Sequence, residues 1–381
     1  MQIVRELLAS RAPMRLVFAV IFLSCCVARA EEWNIIKVQG RDYVSLENVA
    51  QFYRFADYSH GNRTIALRGE HRAIRAQVGS SEIFINGVRF ITDFPLIERP
   101  NAQLISAMDV GKIIEPVLRP SRIANAEKIE TVVLDPGHGG TDSGTLNPFG
   151  AEKNFALDVA LAARRDLMNA GFKVEMTRVD DNGISLEDRI AFANQFTHAV
   201  FVSVHFNSGS GGTGVESYAL APEGVPSNAA AGGEAHVAAN ESSPNEGNAQ
   251  DSQNIALAAA VHAAVLSHAN TFDRGIRHAR FKVLRHIKVP AVLLEGGFLN
   301  NPIDASRIAT PQYRQQLGAA IAQGVQSYNA AVNYRAENGA TFAFVRTALP
   351  PHTRSITDPL ESPTLVPQSD APSISIDVGQ Q

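Results

Sequence analysis

The chain has 381 residues, 45% hydrophobic and 19% charged, enough apolar material for about two domains with cores of their own. Its formal net charge is −4 and no basic run stands out, which excludes a global electrostatic drive toward nucleic acid or anionic lipid. Both cysteines, Cys25 and Cys26, fall near the N-terminus, so the body of the chain has neither a disulfide nor a thiolate metal ligand.

Residues 1–30 read as an export signal peptide. Arg5, Arg11 and Arg15 precede the apolar run Leu16 to Leu23, and Ala28-Arg29-Ala30 offers a small-x-small cleavage site ahead of Glu31-Glu32. The run is too short for an ordinary membrane span. No stable membrane insertion is expected after cleavage, and the mature protein is expected in the periplasm or at the cell wall. Two alternatives stand beside this: the segment is retained as an anchor, or Phe22-Leu23-Ser24-Cys25 is a lipoprotein site with the lipid on Cys25.

Residues 32–120 form the next expected unit, a small α+β module. Tyr43 to Ala50 reads as a strand running into a capped helix, and Leu104 to Val110 repeats that pattern. Thr64 to Arg68 and Glu82 to Val88 read as strands, the second closed by Asn86-Gly87. The module resembles, loosely, the N-terminal domain of copper amine oxidases, a likeness that implies nothing about copper. His60 and His71 read as surface residues.

After a polar connector, Pro120 to Lys128, the pattern changes to alternating strands and helices, the mark of an α/β fold with a largely parallel sheet. Strands are expected at Glu130 to Leu134, around Phe172 to Met176, at Ala199 to His205, at Gly214 to Leu220 and at Val289 to Glu295. Helices are expected at 154–170, stopped by Gly171, and at 186–196, 255–268 and 312–328. The catalytic unit so defined runs over 129–332. Residues 221–252 lack periodicity and read as a flexible insertion, and the Pro- and Ser-rich stretch 335–381 as a disordered tail. The two units are expected to fold independently.

The chemistry concentrates at four places. Asp135-Pro136-Gly137-His138-Gly139-Gly140 is a glycine-rich turn at the carboxyl end of a buried strand, the edge where open α/β sheets bind ligands. Glu152 begins the following helix and His205 ends a strongly apolar strand, so the three side chains converge on one edge. Two imidazoles and a carboxylate match a catalytic zinc site with an open fourth position. Glu295 follows the apolar run Pro290 to Leu294 and precedes Gly296-Gly297; an ionisable group there is costly unless paired or used. It is the candidate base for a metal-activated water. Asp135 reads either as a partner of a ligand histidine or as a cap of the turn. Arg189 and Arg285 read as substrate-carboxylate anchors or as fold-stabilising ion pairs. His198, His262, His268, His278 and His286 read as surface or core residues without metal.

These segments resemble those of the zinc-dependent N-acetylmuramoyl-L-alanine amidases that trim septal wall during cell division. The resemblance spans 130–328 and includes DPGHGG (135–140), Glu152-Lys153, the run 177–194, SVHFN (203–207), GVESY (214–218), the run 273–285 and LLEGGFLNNP (293–302). It implies zinc held by His138, Glu152 and His205, Glu295 as catalytic glutamate, and peptidoglycan as substrate. The fold it implies is a twisted, mostly parallel six-stranded sheet with helices on both faces. Amidases of this type often carry, at the position of 221–252, a helix that blocks the zinc until a protein activator removes it. Here the segment has no sustained apolar stripe, so appreciable basal activity is expected, with Glu234 and Glu246 as candidate plugging carboxylates. The rival readings are a zinc exopeptidase acting on wall peptides and a non-catalytic wall-binding protein.

Overall fold

A computed structural model describes residues 33–209, 212–228 and 243–334. The expected signal peptide, the middle of the expected insertion with Glu234, and the expected tail lie outside the described residues.

From its N-terminal end, β1 (Ile36–Val38) and β2 (Arg41–Ser45) lead into α1 (Leu46–Phe52). An antiparallel meander follows: β3 (Asp57–Gly61), β4 (Thr64–Arg68), β5 (Ala73–Gln77), β6 (Glu82–Ile85) and β7 (Val88–Ile91). Then β8 (Ile97–Arg99) and β9 (Ala102–Ser106) run into α2 (Ala107–Asp109), which continues through a π-turn, Val110–Ile114, into α3 (Glu115–Leu118). The strand-to-helix step occurs twice, as the sequence pattern predicts. Each time a serine hydroxyl caps the helix: Ser45 Oγ accepts from the Asn48 amide and Ser106 Oγ from the Met108 amide. Asn86 and Gly87 both take positive φ, 52° and 81°, the turn geometry that matches the twist of β6 and β7. Strands β1, β2, β9 and β8 form a small sheet of their own.

The second half comprises β10 (Thr131–Pro136), the short hairpin β11 (Leu146–Asn147) and β12 (Gly150–Ala151), α4 (Glu152–Asn169), β13 (Lys173–Met176), α5 (Leu186–Ala193) and β14 (Ala199–Asn207). It continues with β15 (Val215–Leu220), α6 (Asp251–His268), β16 (Asp273–Ala279), α7 (Lys282–Arg285), β17 (Ala291–Phe298), α8 (Pro302–Ile308) and α9 (Pro311–Asn333). Strands β13, β10, β14 and β17 run parallel; β15 reverses against β17, and β16 runs parallel to β15. These six strands are the sheet implied by the family resemblance; the residue pattern alone marks five of them, without β16. Strands β10, β14 and β15 are buried along almost their whole length, because helices cover both faces. Helices α5 and α7 pack one face over Val133, Phe201, Tyr218 and Leu293. Helices α4, α6 and α9 pack together on the other, and α6 is buried nearly all round from Ile255 to Leu266.

The sheet does not end at β16. Ile276 pairs with Phe90 of β7, and the strand order continues through β6, β5 and β4 to β3, eleven strands in all. The Arg89 amide donates to Asp273 (3.0 Å), His278 Nδ1 meets Asp93 (3.1 Å), and Lys112 pairs with Asp251 (3.0 Å). The pattern change near 120–130 is thus a change from antiparallel to parallel strands within one sheet, and the two expected units share it. The described ends of the expected insertion are also packed. Ala221 and Val225 are fully buried, Asn228 bonds Ile91 O and the His278 amide, and Glu246–Gln250 forms a 3-10 turn feeding α6.

Candidate active site

The carboxyl ends of β10, β14 and β17 and the N-terminus of α4 meet at one edge of the sheet. His138 follows β10 with φ of +59°, a left-handed conformation that side chains with a Cβ adopt at a cost. Its neighbours explain why glycine surrounds it. A Cβ on Gly137 would lie 2.3 Å from His205 Cε1, and one on Gly144 would lie 2.7 Å from both Glu152 Oε2 and His138 Cδ2. The loop between β10 and β11 presses this closely on the three polar side chains at Gly137 and Gly144 because nothing larger than hydrogen is there.

Glu152 is the first residue of α4 and is buried, with its carboxylate at the positive end of the helix dipole. Its Oε1 lies 3.0 Å from His138 Nε2 and 3.2 Å from His205 Nδ1, and accepts from the Phe206 amide (3.0 Å); its Oε2 accepts from the Thr145 amide (3.0 Å). One ligand atom from each of His138, Glu152 and His205 lies within 4.8 Å of the others, and no other such group occurs among the described residues. His138 Nδ1 faces Asp142 Oδ2 at 2.8 Å, a hydrogen bond that fixes the imidazole with Nε2 directed at Glu152.

Electrostatics follow from this contact. Burial alone would lower the His138 pKa, but hydrogen bonds to Glu152 and Asp142 and their charges outweigh it, pushing it up to about 9. Burial would likewise raise Glu152, yet the two imidazoles hold it well below the usual carboxylate range. A cation entering the cluster must therefore displace the proton that His138 holds.

Glu295 sits on β17 in register with His205 of β14 on one side and Glu216 of β15 on the other. It lines a cleft with all three members of the cluster, walled by Leu186, Phe281, Val283 and Leu293. Lys282 also lines this cleft and pairs with Glu187 at the α5–α7 rim. All four residues singled out from sequence thus share one cleft.

Two polar neighbours of these residues escaped the sequence reading. Asp142 stands four residues after His138 in a stretch of turn residues. Glu216 is fully buried and accepts from Tyr218 Oη (2.8 Å), Asn207 Nδ2 (3.1 Å) and Arg274 Nε (2.8 Å). Burial and the adjacent Glu216 push the Tyr218 hydroxyl well above its ordinary range, so it stays a donor.

Asp135 takes neither expected role. Its buried carboxylate accepts from Arg189 Nη1 (2.6 Å), Thr177 Oγ1 (2.7 Å) and Ser203 Oγ (2.8 Å), touching no histidine and lying inside the sheet edge. Arg189 is accordingly a buried ion-pair partner and not a substrate anchor. Arg285 ends α7. Glu246 faces His286 and Lys288, not the cluster. His262 is buried between Ser217 and Asp273, and His278 against Asp93.

The family of N-acetylmuramoyl-L-alanine amidases matches residues 132–327, just over half of the chain. The chain belongs to this amidase family. The amidase is 33% identical over 201 residues to a sporulation-specific N-acetylmuramoyl-L-alanine amidase of Bacillus subtilis, covering 52% of this chain and 68% of the relative. It is 31% identical over 216 residues to N-acetylmuramoyl-L-alanine amidase CwlM of Bacillus licheniformis, covering 55% and 74%. Among solved structures it is similar to the catalytic domain of CwlV from Bacillus (Paenibacillus) polymyxa, at 29% identity, 52% and 98% coverage and a TM-score of 0.43. Its reaction is hydrolysis of the amide between N-acetylmuramic acid and L-alanine in peptidoglycan. No helix among the described residues is long and apolar enough to cross a membrane.

Proposed function

We propose that the amidase carries out this hydrolysis with zinc held by His138, Glu152 and His205 and with Glu295 moving the proton. The observation that carries the reading is the convergence of three donor atoms within 4.8 Å, with Glu295 in register beside His205. Two imidazoles and a carboxylate are the chemistry of a catalytic zinc centre, and the glycines packed against them leave the donors room to close on an ion. When bound, zinc supplies a Lewis acid for the amide carbonyl and lowers the pKa of water toward neutrality.

The chain's own residues do the rest. Asp142 holds His138 by its Nδ1 and so keeps Nε2 inward. The apolar wall of Leu186, Phe281, Val283 and Leu293 limits bulk water around the scissile amide. Glu295 accepts a proton from the attacking water as the carbon–oxygen bond forms. It returns that proton to the L-alanine nitrogen as the carbon–nitrogen bond breaks. No covalent enzyme intermediate is needed, and none of the described residues is a cysteine.

Residues 1–30 we read as an export signal, so that the enzyme works in the periplasm or wall. The amine-oxidase-like reading of 32–120 rests on the repeated serine-capped strand-to-helix step. The expected lack of a plugging helix in 221–252 favours basal activity, with a protein activator as an accessory and not a requirement.

Zymography on purified peptidoglycan, with and without chelator, followed by product analysis, tests the function. Release of intact stem peptides from glycan, abolished by chelation and restored by zinc, is the expected result. Trimmed peptides still attached to glycan would indicate an exopeptidase instead.

A further inference from the structure

Two arginines that do not line the cleft hold the backbone that carries it. Arg178 and Arg189 are both buried, at 4% and 3% exposure. Arg178 Nε donates to Pro136 O (3.0 Å) and its Nη2 to Gly137 O (2.7 Å). Arg189 Nη1 donates to Pro136 O (2.7 Å) and Nη2 to His138 O (2.5 Å). Three consecutive carbonyls, those of residues 136, 137 and 138, are thereby taken by two guanidinium groups. Arg178 Nη2 reaches further, to Lys153 O at 2.8 Å, directly after Glu152 on α4. One side chain thus ties the loop of His138 to the helix turn of Glu152. An outer layer repeats the link, since Lys153 Nζ donates to Gly140 O and Asp181 Oδ2 (both 2.7 Å).

We infer that Arg178 and Arg189 are positioning residues that pre-assemble the His138–Glu152 pair before any metal arrives. The physical need is visible at His138. Its left-handed backbone is strained and persists only where the surroundings over-determine it. Loop carbonyls buried at a sheet edge also need donors, and the turn offers few of its own. A guanidinium meets both needs because its five N–H groups diverge in a fixed plane and bond several carbonyls at once. A lysine at 178 offers a single tetrahedral head and would leave some of the carbonyls at 136, 137 and 153 unserved. Asp135 offsets one of the two buried charges through Arg189. The inference rests on reading the cluster as a metal site only for its affinity arm; the pre-assembly arm stands on the apo protein.

The test is amide hydrogen exchange on metal-stripped full-length protein, with zinc affinity measured by chelator competition. In the wild type, the Gly139 and Gly140 amides, bonded to Asp142 O and Asp181 O, should stay protected to within about tenfold after zinc is removed. In Arg178→Lys they should lose protection while β14 and β17 keep theirs, and zinc affinity should fall by about 10–100-fold, the range for loss of an outer-shell support. A merely structural role would lower the melting temperature yet leave local protection and affinity at wild-type levels, and that result overturns the inference. If Arg178→Lys does not fold, the wild type still decides. Collapse of protection at 139–140 on stripping zinc would mean that the metal, not the arginines, assembles the loop. A wild type that binds no zinc but keeps that protection would overturn the metal reading and leave the positioning role standing.

Discussion

The tightest constraint on the site comes from a residue with no side chain, and Gly137→Ala exposes it. Gly137 does not need a left-handed backbone, so alanine brings no backbone strain; its whole effect is steric. The added methyl would meet His205 Cε1, Nε2 and Nδ1 at 2.3, 2.5 and 2.6 Å, where ordinary contact begins near 3.4 Å. The imidazole must therefore retreat by about 1 Å. Metal–ligand distances tolerate only about 0.2 Å, so the proposed ligand His205 would be put out of reach of an ion even though its chemistry is intact. The side chain can turn away at a rotamer cost of about 0.5–1.5 kcal/mol, and the fold should survive. Zinc affinity should fall by at least ~100-fold, the upper end for outer-shell changes and a floor for losing a ligand, or ~2.7 kcal/mol. Chelator competition on Gly137→Ala beside Gly209→Ala, whose Cβ would meet nothing closer than 3.5 Å, reads the effect. Wild-type zinc affinity in a folded Gly137→Ala protein would refute His205 as a ligand.

Glu295→Gln should keep its zinc and melt near the wild type, while turnover on soluble wall fragments drops at least ~10²-fold, the lower end for a positioned general base; near wild-type turnover would remove Glu295 from the mechanism. Asp135→Asn should destabilise by about 3 kcal/mol, the low end for breaking a buried pair because Arg189 retains its carbonyl acceptors, as read by urea denaturation. The Asp135 pKa is depressed: burial raises it, but Arg189, Thr177 and Ser203 lower it more. Its contribution is therefore present above the ordinary aspartate pKa of about 3.9 and is lost as pH falls through the lower folded value; Asp135→Asn should flatten that acid limb of the stability curve. A chain beginning at residue 125 loses Phe90, Arg89 and Asp93 from the β16 edge. At least four polar contacts are lost, those of the Arg89 amide with Asp273, Asp93 with His278, Lys112 with Asp251 and Ile91 O with Asn228; at ~1 kcal/mol each they should lower its melting temperature by about 8–16 °C, and an unchanged value would show the two segments to be independent.

What could be read from sequence was whatever lies at an element end. His138, Glu152, His205 and Glu295 were legible because strand ends and helix starts of an α/β sheet converge, and each stands beside a run whose apolar period is clear. Asp135 was misread for the opposite reason. Its partners, Thr177, Arg189 and Ser203, are 42, 54 and 68 residues away, and nothing local distinguishes a carboxylate facing a histidine from one facing an arginine. The missing strand β16 and the shared sheet have one cause. Asp273, Arg274, Arg277 and His278 interrupt the alternation of β16, since their partners are polar: the Arg89 amide, Glu216, and Asp93. A strand whose half-buried positions carry charge pairs, and whose buried positions include Gly275 and His278, has no hydrophobic period to detect. Its pairing with β7 runs through Ile276 and Phe90, far apart in sequence and each apolar in its own context. An edge that the catalytic sheet would otherwise leave open to other chains is covered from within the same molecule, by a segment whose local pattern looks like a separate module.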